Sequence, residues 1–301
     1  MNSITKLILD SGNPDEYRKI KDLAEKRGET LWGATTNPSL IAKNLMGKKV
    51  TRDEADRLHR QFVEEILSIV PGAVSAEVYA DKNTTGEQMA NQGQEIMKWH
   101  ERIVVKIPTT IEGFKARTIL RKKGIPTNNT LVFSQEQVFA IALHEEIMQK
   151  EFGVEKSTWL PFISPFVGRL DDTGVNGMDL VTRGIEVKKL VSVETWMLEA
   201  SVRTVEHMKL GIDAQTELIT APAKIYIAWF ELSDEQRSSL SADYTKALSP
   251  IAPWTPSDEL LSISTIADFT DAIDSNKLNI QHELTDKGID TFATDWNSAI
   301  I

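Results

Sequence analysis

"RIVVKIPTTIEGFKARTILRKKGIPTNNTLVF", residues 102–133, decides the architecture. Ile103, Val104 and Val105 form a short apolar, β-branched run, the composition of a strand buried on both faces. The run meets Lys106 and then Pro108, and an amphipathic stretch follows over residues 111–124. A second β-rich run occupies residues 125–133. Strand, helix and strand within about thirty residues is the spacing of a parallel β-α-β unit.

The same unit recurs on both sides. Strand candidates fall at residues 5–10, 30–36, 73–80, 102–107, 125–133, 158–167, 194–201 and 217–222, with helical patterns between them. Eight strands alternating with eight helices predict an α/β fold, a closed (β/α)8 (TIM) barrel. The competitor, an open doubly wound sheet, usually carries a glycine-rich phosphate loop after its first strand. Here the first strand runs into Asp10-Ser11-Gly12-Asn13, and neither GxGxxG nor a Walker-type loop is present. The alternation stops near residue 232. Residues 249–259, "SPIAPWTPSDE", read as a loop, and helical patterns continue to the end. The expected organisation is a barrel over 1–232 and a helical extension over 233–301 packed on it, one domain overall with no second core.

Composition narrows the function. With 34 Lys and Arg against 44 Asp and Glu, the net charge is −10, so nucleic acid is not an expected partner. The absence of cysteine excludes disulfides, Cys-based zinc sites and a cysteine nucleophile, and fits a cytoplasmic location. The first residues, "MNSITKLILDSG", show no secretory signal. No window approaches the roughly 18 apolar residues of a membrane span. The histidines (His59, His100, His144, His207 and His282) form no HExxH or other ligand spacing, so no metal is expected. "HEE" at 144–146 and "VEH" at 205–207 read as solvated helix faces. Trp99 and Trp229 read as core or interface residues.

In a parallel barrel, chemistry gathers at the C-terminal ends of the strands. The first strand ends on Asp10, the second on Thr35-Thr36-Asn37, the third holds Glu77 and the fourth ends on Lys106. The fifth holds Asn128 and Thr130, the sixth Ser164 with Arg169 beyond it, and the seventh Ser201 with Arg203. The eighth ends on Ala221-Pro222 and offers nothing reactive. Each has an ordinary explanation. Asp10 could cap a helix, Asn37 before Pro38 could shape a turn, and the arginines could be surface ion pairs. Glu77 in an apolar strand demands a partner, because burying a carboxylate alone costs several kcal/mol. Lys106 is its candidate partner. An interior lysine either reaches out to solvent or becomes a reactive amine.

Taken together, the motifs resemble the transaldolase family. They are "LDSG" (9–12), "GATTNPSLIAK" (33–43), "VSAEV" (74–78), "IVVKIPTT" (103–110), "NNTLVFS" (128–134), "ISPFVGRLDD" (163–172) and "EASVR" (199–203), all in the family's order. "FATDW" (292–296) is similar to its C-terminal helix. The resemblance implies a Schiff base on Lys106, with Asp10 as general acid and base. It implies that Glu77 and Thr130 hold the water that relays protons. Asn37, Asn128 and Ser164 would bind a dihydroxyacetone unit, with Thr35 and Phe166 also in the substrate site, and Arg169, Ser201 and Arg203 would bind phosphate. The implied activity moves dihydroxyacetone from sedoheptulose 7-phosphate or fructose 6-phosphate to glyceraldehyde 3-phosphate or erythrose 4-phosphate, in the pentose phosphate pathway. It implies no cofactor, sugar phosphates as the only partners, and a homodimer. Two alternatives are an aldolase that releases free dihydroxyacetone and a silent sugar-phosphate-binding barrel. The aldolase-like group tends to carry Gln in place of Glu77 and Tyr in place of Phe166. The chain departs from the family pattern in "LDS" for the commoner "LDT", in lacking a longer leader, and in Asn129 at a usually apolar position.

Overall fold

Eight parallel strands close into a barrel in chain order, β1 to β8, in the computed structural model. The structure describes residues 5–45, 47–154, 159–241 and 243–301. The elements in order are β1 (Lys6–Asp10), α1 (Pro14–Lys26), β2 (Leu31–Thr35), α2 (Pro38–Asn44), α3 (Arg52–Ile69), β3 (Val74–Glu77), α4 (Gly86–Met97), β4 (Ile103–Pro108), α5 (Ile111–Lys122), β5 (Thr127–Val132) and α6 (Gln135–Phe152). There follow β6 (Phe162–Pro165), α7 (Val167–Asp171), α8 (Gly177–Lys188), β7 (Trp196–Glu199), α9 (Val205–Asp213), β8 (Leu218–Ala221) and α10 (Ala223–Glu231). Beyond them lie α11 (Asp234–Ser239), a 3₁₀ turn (Asp243–Ala247), α12 (Asp258–Leu261), α13 (Ile266–Asp274) and α14 (Glu283–Ser298).

The expected barrel is therefore observed, with differences in detail. The run expected from residue 158 begins outside the described residues, and its strand is Phe162–Pro165. The stretch between β6 and α8 contains the short helix α7, which carries Arg169. Pro108 is the last residue of β4, in register with Thr130, and two residues separate it from α5.

Strand pleating decides which side chains reach the interior. Val105 faces outwards, because a Cβ added to Gly93 of α4 would lie 2.9 Å from its Cγ1. Its neighbour Lys106 therefore points inwards. Glu77 is in register with Lys106, and Lys106 with Asn128, so three polar groups lie side by side across β3, β4 and β5. Asn129 points away from them. Its amide donates to the Phe162 carbonyl at 2.9 Å, where the β5–β6 register shifts, which accounts for a buried Asn at a usually apolar position.

The C-terminal helices share the barrel's core. Leu284, Ile289 and Phe292 of α14 belong to the main apolar cluster. Trp296 and Ala299 pack with Ile41, Leu45, Val50 and Ala55 in a satellite cluster against α2 and α3. The Gln137 amide donates to the Ile280 carbonyl (2.9 Å) and the Thr285 hydroxyl (3.1 Å), and the Thr285 hydroxyl donates to the Leu131 carbonyl (2.9 Å).

The expectation of solvated faces at 144–146 and 205–207 is wrong. His144 and Glu145 are fully buried, and His207 is buried and pairs with Asp171 at 2.8 Å. Glu145 bridges two buried arginines, Arg117 at 3.2 Å and Arg121 at 2.7 Å. Burial works against the Glu145 charge, but the Arg121 hydrogen bonds and the Arg117 charge hold its carboxyl below the usual range. Removing one member of such a group strands the others. Glu145→Ala should therefore lower unfolding free energy by about 3–5 kcal/mol, read from urea denaturation at pH 7. Because the folded pKa is depressed, this contribution is present above the ordinary Glu value of 4.5 and is lost as pH falls through the folded pKa. The wild-type advantage over the variant should shrink accordingly in acid.

Candidate active site

A cavity of about 320 Å³ opens at the C-terminal ends of the strands. It is lined by Asp10, Thr35, Asn37, Lys106, Asn128, Thr130, Ser164, Phe166, Arg169, Ser201 and Arg203 among others. Eleven of the twelve side chains singled out in the sequence thus meet at one mouth. The twelfth, Glu77, does not line the cavity and lies behind Lys106.

Lys106 does not reach out to solvent, for it is only 3% exposed. Its ammonium contacts Glu77 Oε2 at 3.0 Å and donates to the Thr36 carbonyl at 3.1 Å. Burial raises the Glu77 carboxyl above its ordinary value, against the lowering effect of Lys106. Burial also raises the Asp10 carboxyl, opposed by the Lys106 charge and by a 2.7 Å hydrogen bond from the Thr35 hydroxyl. Asp10 is not a helix cap. Asn13 caps α1, which leaves the Asp10 carboxylate for the cavity.

Asn37 does cap its helix. Its Oδ1 accepts from the Leu40 N–H at 2.9 Å, so the side-chain NH2 is the half that remains for a ligand. Asn128 is held at both ends, donating to Ser75 Oγ at 3.0 Å and accepting from the Ser164 hydroxyl at 2.6 Å. The Thr130 hydroxyl is buried with no hydrogen-bond partner among the described residues. Ser201 adopts the left-handed region (φ 58°), a conformation uncommon for a non-glycine residue. A Cβ on Gly168 would lie 2.2 Å from the Ser201 carbonyl oxygen, so glycine is needed where α7 meets this turn. Arg203 is half-exposed and paired with Asp172 at 3.1 Å, a surface pair that an anion can displace. Arg169 makes no hydrogen bond or ion pair among the described residues. Its Cζ lies over the Phe166 ring and over the Phe292 ring, 5.2 Å from each centroid.

The sequence reading missed four contributors. Ser75 was passed over as an ordinary strand residue. Thr220 and Lys224 belong to the eighth strand and its helix, where nothing reactive was expected. Thr220 is 2.6 Å from Thr35 Oγ1, which extends the hydrogen-bonded chain to Asp10, and Lys224 lines the mouth. Phe292 arrives from a helix more than a hundred residues beyond the arginine it covers. Only the alternation rule, which turns Ser75 and Thr220 inwards, could have found the first two. Among the described residues, no three His, Asp or Glu side chains are grouped to hold a metal ion. No helix among them is long and apolar enough to cross a membrane.

Residues 7–300 match the family model described as transaldolase/fructose-6-phosphate aldolase. The chain belongs to this family. Among transaldolase/fructose-6-phosphate aldolase relatives, it is 36% identical over 244 residues to a probable transaldolase of Clostridium botulinum strain Loch Maree, covering 80% of this chain and 97% of that one. A probable transaldolase of Clostridium perfringens strain ATCC 13124 is also 36% identical, with 80% and 98% covered. One of Brachyspira hyodysenteriae is 34% identical, with 79% and 97% covered. Among solved structures, the fold is similar to a mutant tryptophan synthase α-subunit of Pyrococcus furiosus at 14% identity and a TM-score of 0.45, covering 78% of this chain and 94% of that one.

Proposed function

We propose that the protein is a transaldolase that transfers a dihydroxyacetone unit between sugar phosphates through a Schiff base on Lys106. The observation that carries this reading is the buried Lys106–Glu77 contact of 3.0 Å, with Lys106 and Asp10 both lining the cavity. An amine must be neutral to attack a carbonyl. In this scheme Glu77, 3.0 Å away, takes the lysine proton, which leaves an uncharged amine beside an uncharged acid.

The ketose phosphate binds with its phosphate on Arg169, Ser201 and Arg203, where guanidinium forks suit an anion. The Lys106 amine adds to C2 and forms a carbinolamine. Glu77 returns the proton to the departing hydroxyl by way of a water at Thr130, and the iminium forms. Asp10 removes the C4 hydroxyl proton, the C3–C4 bond breaks, and its electron pair moves into the iminium to give an enamine. The aldose phosphate leaves. The enamine stays on Asn37, Asn128 and Ser164 until a second aldose phosphate binds and the steps reverse. The iminium is the electron sink, so the scheme calls for no metal or cofactor. A cytoplasmic role in the pentose phosphate pathway follows from the same reading.

Transfer and simple cleavage differ in the fate of the enamine. Phe166 brings no hydroxyl to the cavity wall, and its ring is packed edge-on against Phe133 at 5.7 Å. Without a proton donor there, the enamine outlives the first product. Fructose 6-phosphate alone should therefore yield little free dihydroxyacetone, and adding an aldose phosphate should raise product formation by about ten-fold or more. Rapid release of dihydroxyacetone without acceptor, measured by a coupled reductase assay, would instead make the enzyme an aldolase.

A further inference from the structure

We propose that Phe292 of α14 is a positioning residue that fixes Arg169 as the free anion ligand of the cavity. The C-terminal helix then forms part of the phosphate grip. The inference rests on reading the cavity as a sugar-phosphate site, and it adds a residue from outside the eight strands and their loops.

Arginines beside acidic residues normally find a carboxylate. Arg203 has Asp172 at 3.1 Å, whereas Arg169 has no ion pair or hydrogen bond among the described residues. Glu77, Asp10 and Asp172 act on it only through space, and the groups that cover it are aromatic. Its Cζ lies 5.2 Å from the Phe166 centroid and 5.2 Å from the Phe292 centroid. Ring faces attract a guanidinium without occupying its N–H donors, which lie in the guanidinium plane. The donors are left for a ligand in the cavity, which both rings and Arg169 line. Partner rings thus achieve what a partner carboxylate would defeat.

The helix is built to deliver that ring. Thr285, Gly288 and Phe292 follow at i, i+3 and i+7 and so share one face. Thr285 ties this face to the Leu131 carbonyl at 2.9 Å, on a β5 residue in the left-handed region (φ 59°). One turn further on, a Cβ at Gly288 would lie 2.7 Å from Arg169 Nη1 and 2.5 Å from Leu131 Cδ2. Glycine there lets the helix approach until Phe292 covers the guanidinium.

The test uses the full chain and two readouts, inorganic phosphate affinity by calorimetry and steady-state kinetics with fructose 6-phosphate. Phe292→Leu keeps an apolar side chain and removes the ring face, while Phe292→Tyr keeps the face. Leu should weaken phosphate binding by roughly ten-fold, and Tyr should restore it to within about three-fold. With Leu, KM for fructose 6-phosphate should rise by more than kcat falls, and KM for the unphosphorylated acceptor D-glyceraldehyde should not move. Wild-type phosphate affinity in the Leu protein, or a Tyr protein as weak as Leu, overturns the proposal. The two readings fail separately. A wild-type protein that binds phosphate but turns over no ketose phosphate removes the reaction and leaves the clamp. An active enzyme whose Leu variant binds phosphate normally removes the clamp and leaves the reaction.

Discussion

Lys106→Ala should lose turnover by about 10⁴-fold or more, the scale seen when a covalent nucleophile is deleted. In the wild type, borohydride with fructose 6-phosphate should reduce the iminium and leave a stable adduct on the peptide that contains Lys106. The alanine protein should show none. The substitution has a second effect that must be separated from chemistry. Glu77 is 4% exposed, and Lys106 is the largest influence holding its raised pKa down. Without the ammonium, the carboxylate is buried alone and becomes more readily protonated. Stability of the variant should then fall as pH rises, because the folded state favours the protonated acid and the unfolded chain does not. Adding Glu77→Gln to Lys106→Met removes that charge. The double variant should recover stability at pH 7, measured by thermal unfolding, while remaining inactive and unlabelled. An adduct on another lysine, or turnover surviving in Lys106→Ala, would take the Schiff base away from Lys106.

The barrel was legible because its strands are buried on both faces and announce themselves as short apolar runs between amphipathic helices. The run 102–107 is the plainest case. Glu77 and Lys106 stood out for the same reason, since within such a run each needs a partner or a route to solvent, whereas the roles of the other strand-end residues came from the family resemblance. What the sequence hid was of two kinds. Some partners are unremarkable residues made important by pleating and register. Ser75 reads as filler until it lies 3.0 Å from Asn128, and Thr220 until it meets Thr35. Others depend on contacts distant in sequence. Nothing near Glu145 says that two arginines of α5 reach it, so "HEE" reads as a solvated face, and nothing near Phe292 points to Arg169. Gly168 likewise takes its meaning from a contact distant in sequence, since its lack of a Cβ lets α7 pack closely against the Ser201 turn.

Asp10→Asn should stop the reaction one step later than Lys106→Ala. The amide oxygen can still accept from Thr35, so the local hydrogen bond is kept while the base is removed. Lys106 and Glu77 are untouched, and the amine should still condense with C2 of fructose 6-phosphate. The C4 hydroxyl proton then has nowhere to go, and the C3–C4 bond stays intact. Turnover should fall by about 10²–10⁴-fold, the usual cost of losing a positioned general base. The trapped species tells the two steps apart. Borohydride should give the wild type a three-carbon adduct on Lys106, as enamine that has taken a proton on carbon returns to the reducible iminium, and the asparagine protein a six-carbon adduct that retains its phosphate. The pH profile gives an independent reading. Asp10 must be ionised to act, and burial places its pKa above the ordinary Asp value of 3.8. Wild-type kcat/KM should accordingly decline on the acid side at a pH above that value, and Asp10→Asn should lack this limb. A three-carbon adduct formed by the variant at the wild-type rate would assign the proton transfer to another group. The hydrogen-bonded chain from Thr35 to Thr220 would then serve only to shape the cavity wall.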